Sequence, residues 1–288
     1  MISISERRRR LRALLSSNLC LTPASIFDPI SARLASQAGY TLGMLGGSVA
    51  SQVSLAAPDV NILTLTELAE MVRRMTRASD ISLFIDADHG FGNALSVART
   101  TEELEHAGAC GFSIEDTALP TRFGQPEGSD ELISLDEMLG KLQAAVSARR
   151  DPDLVIAGRS SSLKVEGLQD ALRRTTAMAK TGVDAIFLIG VKTVDEVRAI
   201  HDATHLPIIL GTAPASLTSA DLATAGARIL LQGHLPLAIA AKALSLAYQQ
   251  LFAGAKPGDL STQALSAAEM DTLTGAPAIQ QNRRDYLK

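Results

Sequence analysis

The densest run of reactive side chains is Asp86-Ala87-Asp88-His89-Gly90-Phe91-Gly92-Asn93, with Glu115-Asp116 following in the next predicted unit. Carboxylates brought together without partners repel and raise one another's pKa. A hard divalent cation relieves that repulsion, and Mg²⁺ takes oxygen ligands in an octahedron while keeping several waters. Asp86 and Asp88 with Glu115 therefore point to a cation site, whereas a lone strand-end Asp is more simply a cap on the next helix. Arg159 carries a guanidinium whose fork fits a carboxylate bidentately. Gly46-Gly47-Ser48 is either a nest of backbone N–H groups for a carboxylate or phosphate or a tight turn. His234, preceded by Gly233, is read as a donor to substrate or a proton carrier, with a satisfied wall residue as the alternative. His89 is divided between site and wall. His106, His201 and His205 fall on predicted helices or helix–strand loops and are read as structural or solvated, and Cys20 and Cys110 also lie away from this set.

Such residues act together only if the fold brings distant segments to one place. Short apolar runs at 24–27, 40–45, 82–85, 111–114, 154–157, 185–189, 208–210 and 228–231 alternate with helical patterns at 31–37, 66–78, 94–106, 134–149, 166–180, 194–203, 219–224 and 235–252. Continuous apolar runs suit parallel strands buried on both faces. Gly39, Gly108, Gly182 and Gly226 each stand at a helix end just before a strand, where glycine takes the left-handed conformation that stops a helix. Repeated βα units of this kind predict an α/β fold, a (β/α)8 TIM barrel. A doubly wound open sheet is the rival, but no early Gly-x-Gly-x-x-Gly follows a strand. In a barrel the active face is the C-terminal end of the strands, and Gly46-Gly47-Ser48, Asp86, Asp88, Glu115, Arg159 and His234 all follow predicted strands. Residues 1–254 are read as one barrel domain with an N-terminal helix and 255–288 as a C-terminal extension.

The 288 residues carry a net charge of -4, with 46% hydrophobic and 20% charged residues, which allows a large core and excludes global disorder. An acidic balance argues against a nucleic-acid partner, and 3% aromatic residues without Trp against a base-stacking surface. No stretch reaches the ~18 apolar residues of a membrane span. The Arg7–Arg10 run precedes an interrupted apolar stretch, unlike a signal peptide. It is read as the solvated face of a helix capped by Ser5. Two free thiols fit the cytoplasm.

With these segments in view, the chain resembles the phosphoenolpyruvate mutase/isocitrate lyase superfamily. The resemblance is carried by residues 25–33, Gly46-Gly47-Ser48-Val49-Ala50-Ser51, Ala57-Pro58-Asp59, the block 86–93, Ser113-Ile114-Glu115-Asp116, Arg159 and Gly233-His234. It is closest to the oxaloacetate decarboxylase branch. The resemblance implies a helix-swapped barrel, a homotetramer exchanging C-terminal helices, and Mg²⁺ (with Mn²⁺ as the alternative) bound directly by Asp86 and through water by Asp59, Asp88 and Glu115. It implies a 2-oxo dicarboxylate substrate whose C1 carboxylate is held by Ser48, the Gly47 backbone and Arg159, with His234 at its far end. Arg159 and His234 are the expected catalytic pair.

The chain departs from the family at three places. The stretch 119–125 lacks the Lys and Cys of the lyase gating loop and the Asn of the mutase loop, which argues against isocitrate cleavage and phosphoryl transfer. Ser160-Ser161-Ser162 replaces the usual Thr, Asp or Asn, and Ala, and Ala213 stands near the place of a substrate-side Tyr. The expected activity is Mg²⁺-dependent decarboxylation of oxaloacetate to pyruvate and CO₂ through an enolate, with the loop around 121–128 closing over the mouth. The alternatives are a C–C lyase on another 2-hydroxy or 2-oxo dicarboxylate, such as a methylisocitrate or 2-alkylmalate, and a non-catalytic 2-oxo acid binder.

Overall fold

The eight apolar runs form strands that pair in the order in which they occur. The computed structural model describes residues 2–126 and 130–287. Its strands are β1 (Ala24–Ser25), β2 (Leu42–Leu45), β3 (Ser82–Asp86), β4 (Gly111–Glu115), β5 (Val155–Ser160), β6 (Ala185–Leu188), β7 (Ile208–Leu210) and β8 (Ala227–Leu230). Neighbours in sequence are neighbours in the sheet, and every pairing is parallel. The two ends of the sheet meet at Leu21, whose N–H donates to the Arg228 carbonyl at 2.9 Å and whose carbonyl accepts from the Leu230 N–H at 3.0 Å. This junction closes the barrel, and the sequential strand order excludes the doubly wound alternative, whose order reverses at a switch point.

The alternation of side chains along each strand divides the core in two. Met44, Phe84, Val155, Phe187, Ile209 and Ile229 fill the barrel interior together with Leu11 and Leu15 from the N-terminal helix. Leu45, Leu83, Ile85, Phe112, Ile156 and Ile186 instead pack outward against Val72, Leu104, Met138, Met178 and Ile200 of the surrounding helices. Both strand faces are thus dry, which is why the strands read as unbroken apolar runs.

The helices are α1 (Ile4–Leu15), α2 (Pro29–Gln37), α3 (Gly47–Leu55), α4 (Leu65–Ala78), α5 (Ala94–Ala107), α6 (Leu135–Ala148), α7 (Ser162–Val165), α8 (Leu168–Ala179), α9 (Val194–Thr204), α10 (Ser219–Thr224), α11 (Leu235–Phe252), α12 (Ala267–Thr274) and α13 (Ala276–Tyr286). The four helix-stopping glycines behave as their spacing predicts, with φ of +98°, +94°, +92° and +98° at Gly39, Gly108, Gly182 and Gly226. Among the described residues, no helix is long and apolar enough to cross a membrane. In contrast to the helices α4, α5, α6, α8 and α9 around the barrel, α11 buries none of its residues, although it carries Leu235, Ile239, Leu244, Leu246, Tyr248, Leu251 and Phe252.

Two expectations at the N-terminus are corrected. The cap of α1 is Ser3, whose hydroxyl accepts the Glu6 N–H at 3.1 Å, and Ser5 lies inside the helix. The arginine run is also a solvated face only in part: Arg9 is exposed, but Arg7 and Arg8 are only 4% and 5% exposed. α1 lies across the floor of the barrel, where helices end and leave carbonyls without intrahelical donors. Arg7 Nη1 donates to the Thr76 and Ser79 carbonyls at 2.8 and 2.9 Å. Arg8 donates to the Glu105 and Ala109 carbonyls at 2.8 and 2.9 Å and to Asp151 at 2.6 Å. Arg12 Nη2 reaches the Leu154 carbonyl at 3.2 Å and Asp184 at 2.9 Å. Successive arginines therefore tie α1 to the ends of successive βα units.

Replacing Arg8 by Met keeps the apolar stem but strands two buried carbonyls and a carboxylate. The expected cost is about 2–3 kcal/mol, which should lower the thermal midpoint by roughly 2–4 °C per kcal/mol. Circular dichroism melting checks this, and an unchanged midpoint would show the arginine contacts to be dispensable.

Candidate active site

The mouth is built from residues placed at the ends of adjacent strands. Asp86 ends β3, Glu115 ends β4, and Arg159 stands near the end of β5 in register with Glu115. After β3 the chain coils tightly, with positive φ at Asp88 (+46°), Gly90 (+80°), Phe91 (+61°) and Gly92 (+146°). Left-handed backbone at non-glycine residues is strained and concentrates at functional sites. Here it folds Asp88 back toward the strand end: its N–H donates to Asp86 Oδ1 at 3.3 Å and its carbonyl accepts the Glu115 N–H at 2.9 Å. One carboxylate oxygen each from Asp86, Asp88 and Glu115 then lie within 4.8 Å of one another.

This arrangement carries surplus negative charge. Burial first, then the charges of Asp86 and Glu115, pushes the Asp88 carboxyl up to about 8. Burial likewise raises Glu115, against the pull of Arg159. Arg159 is the local counter-charge. Its Nη1 donates to Asp86 Oδ2 at 2.5 Å, its Nη2 lies 3.5 Å from Glu115 Oε2, and its guanidinium stacks 5.3 Å from the Phe187 ring centroid. Burial alone would lower its pKa, and the flanking acids more than offset that. Its buried Nε has no hydrogen-bond partner among the described residues. Three hard oxygen donors around one point, opposed by a single guanidinium, match the donor chemistry of a divalent cation site, so the cluster can hold a metal ion. Thr117 Oγ1 orients one member by donating to Glu115 Oε2 at 2.6 Å.

Asp59 is not part of that cluster. The residue is exposed on the segment after α3, while its carboxyl is partly shielded from water; that shielding first and then Asp86 raise its pKa, with Arg159 and His234 opposing. It thus stands on the rim, close enough to feel the site's charges.

Gly46-Gly47-Ser48, read as a nest or a tight turn, is the start of helix α3, with Gly46 at the cap position. A Cβ on Gly47 would lie 2.5 Å from Asp88 Oδ1, and one on Gly46 would lie 2.5 Å from His234 Nε2. Both glycines therefore let a site side chain rest on the backbone, and the Asp88 carboxylate gains the positive end of a helix. Ser48 is half-buried in the first turn. His234 caps α11 and is half-buried; its Nδ1 lies 2.7 Å from Ser25 Oγ. Burial lowers its pKa from the usual value, against the pull of Asp86 and Asp59. Ser25 had no role in the sequence reading beyond membership of a motif; its position at the end of β1 is the signal that would have found it.

Other candidates resolve toward structure. Asp28 caps α2, accepting the Ser31 N–H at 2.6 Å. His89 is buried, and its Nδ1 has no hydrogen-bond partner among the described residues; burial first and then Lys141 lower its pKa to about 4, and its carbonyl accepts from Lys141 Nζ at 3.2 Å. Ser160, Ser161 and Ser162 are buried behind the mouth and bond to Asp116 and to one another. The segment beyond β4 is pinched by an antiparallel bridge between Thr117 and Leu132. Of the loop expected to close over the mouth, Glu127 and Gly128 lie outside the described residues.

Comparison with known proteins places this arrangement. Residues 11–252 match the family described as phosphoenolpyruvate phosphomutase. The chain is 50% identical over 283 residues to an oxaloacetate decarboxylase of Rhodopseudomonas palustris (strain BisB5), covering 98% of this chain and 97% of that one. It is 49% identical over 270 residues to an oxaloacetate decarboxylase of Bradyrhizobium diazoefficiens (strain JCM 10833 / BCRC 13528 / IAM 13628 / NBRC 14792 / USDA 110), covering 93% and 92%. Among solved structures, a phosphonopyruvate hydrolase in complex with oxalate and Mg²⁺ superposes with a TM-score of 0.85 at 31% identity, covering 98% and 99% of the two chains. The chain therefore belongs to the phosphoenolpyruvate phosphomutase family, within the PEP mutase/isocitrate lyase superfamily, on the branch that holds the oxaloacetate decarboxylases.

Proposed function

We propose that this protein is a carbon–carbon lyase that decarboxylates oxaloacetate to pyruvate and CO₂ with a bound divalent cation, Mg²⁺ or alternatively Mn²⁺. The observation that carries this is the convergence of Asp86, Asp88 and Glu115 beside Arg159, in a chain about half identical to oxaloacetate decarboxylases along nearly its whole length.

In this reading Asp86 binds the cation directly, and Asp59, Asp88 and Glu115 hold it through water. Bound there, the cation supplies a Lewis acid for the charge that develops on the C2 oxygen as the C–C bond breaks. Arg159, Ser48 and the Gly47 backbone at the start of α3 take the C1 carboxylate, where a fixed fork and a helix N-terminus both favour an anion. His234 faces the far end of the substrate. The contact of Nδ1 with Ser25 at 2.7 Å fixes the ring and leaves Nε2 free for the substrate. As the imidazolium, with Nδ1–H donating to Ser25, the ring would pass its Nε2 proton to C3 of the enolate once CO₂ has left, ending as neutral imidazole. No nucleophile is required, which agrees with a 119–125 stretch that has neither Cys nor Lys.

The same reading covers the assembly. The barrel domain is 1–254, and 255–288 is an extension that touches α2, where Arg33 donates to the Leu273 carbonyl at 2.7 Å. The exposed apolar residues of α11 and a cavity of about 510 Å³ lined by Leu34, Ala35, Tyr40, Leu235 and Pro236 support exchange of α11 between copies in a homotetramer. Free Cys20 and Cys110 support a cytoplasmic location.

Purified protein with Mg²⁺ should accelerate CO₂ release from oxaloacetate above the metal-only background, and chelation should abolish the gain. Asp86→Asn should lose calorimetric Mg²⁺ binding and about 10²-fold or more of kcat; retention of both would remove Asp86 from the site. Gly46→Ala should turn the His234 ring off Ser25 and cost roughly tenfold or more in kcat, with the thermal midpoint nearly kept. Equal turnover by Gly46→Ala would separate His234 from the reaction. Ile239→Asp should shift the light-scattering mass below that of a tetramer, and an unchanged tetramer would count against the exchanged helix.

A further inference from the structure

Asp116 follows Glu115 directly and is fully buried, yet it takes no part in the carboxylate cluster. Its bonds go to the segment that carries Arg159. Its N–H donates to the Arg159 carbonyl at 3.2 Å. Ser160 Oγ donates to Asp116 Oδ2 at 2.7 Å, and the Ser161 N–H donates to Oδ1 at 3.1 Å. One residue therefore fixes three consecutive positions of β5 and the turn after it. The Ser162 N–H donates to Ser160 Oγ at 3.1 Å and stiffens the same turn. Arg174, 3.6 Å from Asp116 Oδ2, balances the buried charge and is itself anchored by Asp170 at 2.8 Å.

The Arg159 side chain is secured differently. Its guanidinium tip meets Asp86 and Glu115, and its buried Nε bonds to nothing among the described residues. The direction of the fork therefore depends on where the backbone at 159 is held. Small displacements of a substrate-positioning group carry large penalties.

We propose that Asp116, acting through Ser160 and Ser161, is the positioning unit that aims Arg159 at the substrate carboxylate, and that this gives the serine run 160–162 its role. The proposal rests on the assignment of Arg159 to that carboxylate. Asp116 touches no substrate in this account; it acts through Arg159.

The test is calorimetric binding of oxalate, a planar chelating dicarboxylate, at saturating Mg²⁺, with thermal midpoints measured alongside. Arg159→Lys should weaken oxalate binding. Asp116→Asn and Ser160→Ala should each weaken it roughly tenfold, as loss of an outer partner does. On the Arg159→Lys background the same substitutions should change it by less than about twofold, because residues acting through one group are non-additive. Ser160→Ala removes a single hydroxyl, so it serves where Asp116→Asn fails to fold. Additive losses, or binding at the wild-type level in Ser160→Ala, would overturn the positioning role alone. Wild-type oxalate binding by Arg159→Lys would overturn the carboxylate assignment and the positioning role together.

Discussion

The mouth of this barrel rests on one electrostatic constraint. Carboxylate oxygens from three residues lie within 4.8 Å of one another in a mostly dry setting. Like charges at that separation cannot all stay ionised without a counter-charge. Within the chain, Arg159 supplies that charge, gripping Asp86 and approaching Glu115 while stacking on Phe187. A guanidinium suits the place because it is always charged and only weakly hydrated. One guanidinium against three acids leaves a deficit of positive charge, and the proposed divalent cation fills it. The strained backbone at Asp88 and Phe91 and the bare backbone of Gly46 and Gly47 follow from crowding these groups together.

The opposite end of the barrel solves a different problem with the same residue type. There the arginines of α1 meet carbonyls at helix ends, together with Asp151 and Asp184, and Leu11 and Leu15 plug the interior. Charge on the floor is matched by partners and serves stability. Charge at the mouth exceeds its partners and is available for binding. This separation is the usual polarity of a (β/α)8 barrel. It also shows why composition misled: Arg7 and Arg8 are buried although a charged run ordinarily faces water.

Much of the fold was legible because both strand faces are apolar and four of the helices are stopped by a glycine just before a strand. The strand boundaries differ in both directions: β1 stops at Ser25 and β6 at Leu188, short of their apolar runs. β3, β4 and β5 run on to Asp86, Glu115 and Ser160, beyond the apolar runs that mark them, because the functional residues at strand ends are polar. Helix α3 was missed for a related reason. Its sequence, opening Gly-Ser and rich in small polar residues, has no strong apolar stripe, and its helicity depends on Val49, Ala50 and Ser51 being buried. The candidate site was legible in residue type and position: Asp86, Asp88 and Glu115 do converge. Asp59 lies on the rim, and Ser25 and Asp116 emerge only from contacts.

By itself the sequence determined the barrel, since period, punctuation and strand count are local properties that survive in any packing. It also determined which ionisable groups stand after which strands. Tertiary structure decided everything that depends on distance between segments far apart in the chain. It closed the sheet through Leu21 and turned Arg7 and Arg8 inward. It set Arg159 on Asp86 and laid His234 against Gly46 and Ser25. The reason is physical: a hydrogen bond or an ion pair is a matter of tenths of an ångström between side chains. Sequence spacing fixes such distances only within one helix or strand, so the partners of each group are settled when the barrel closes.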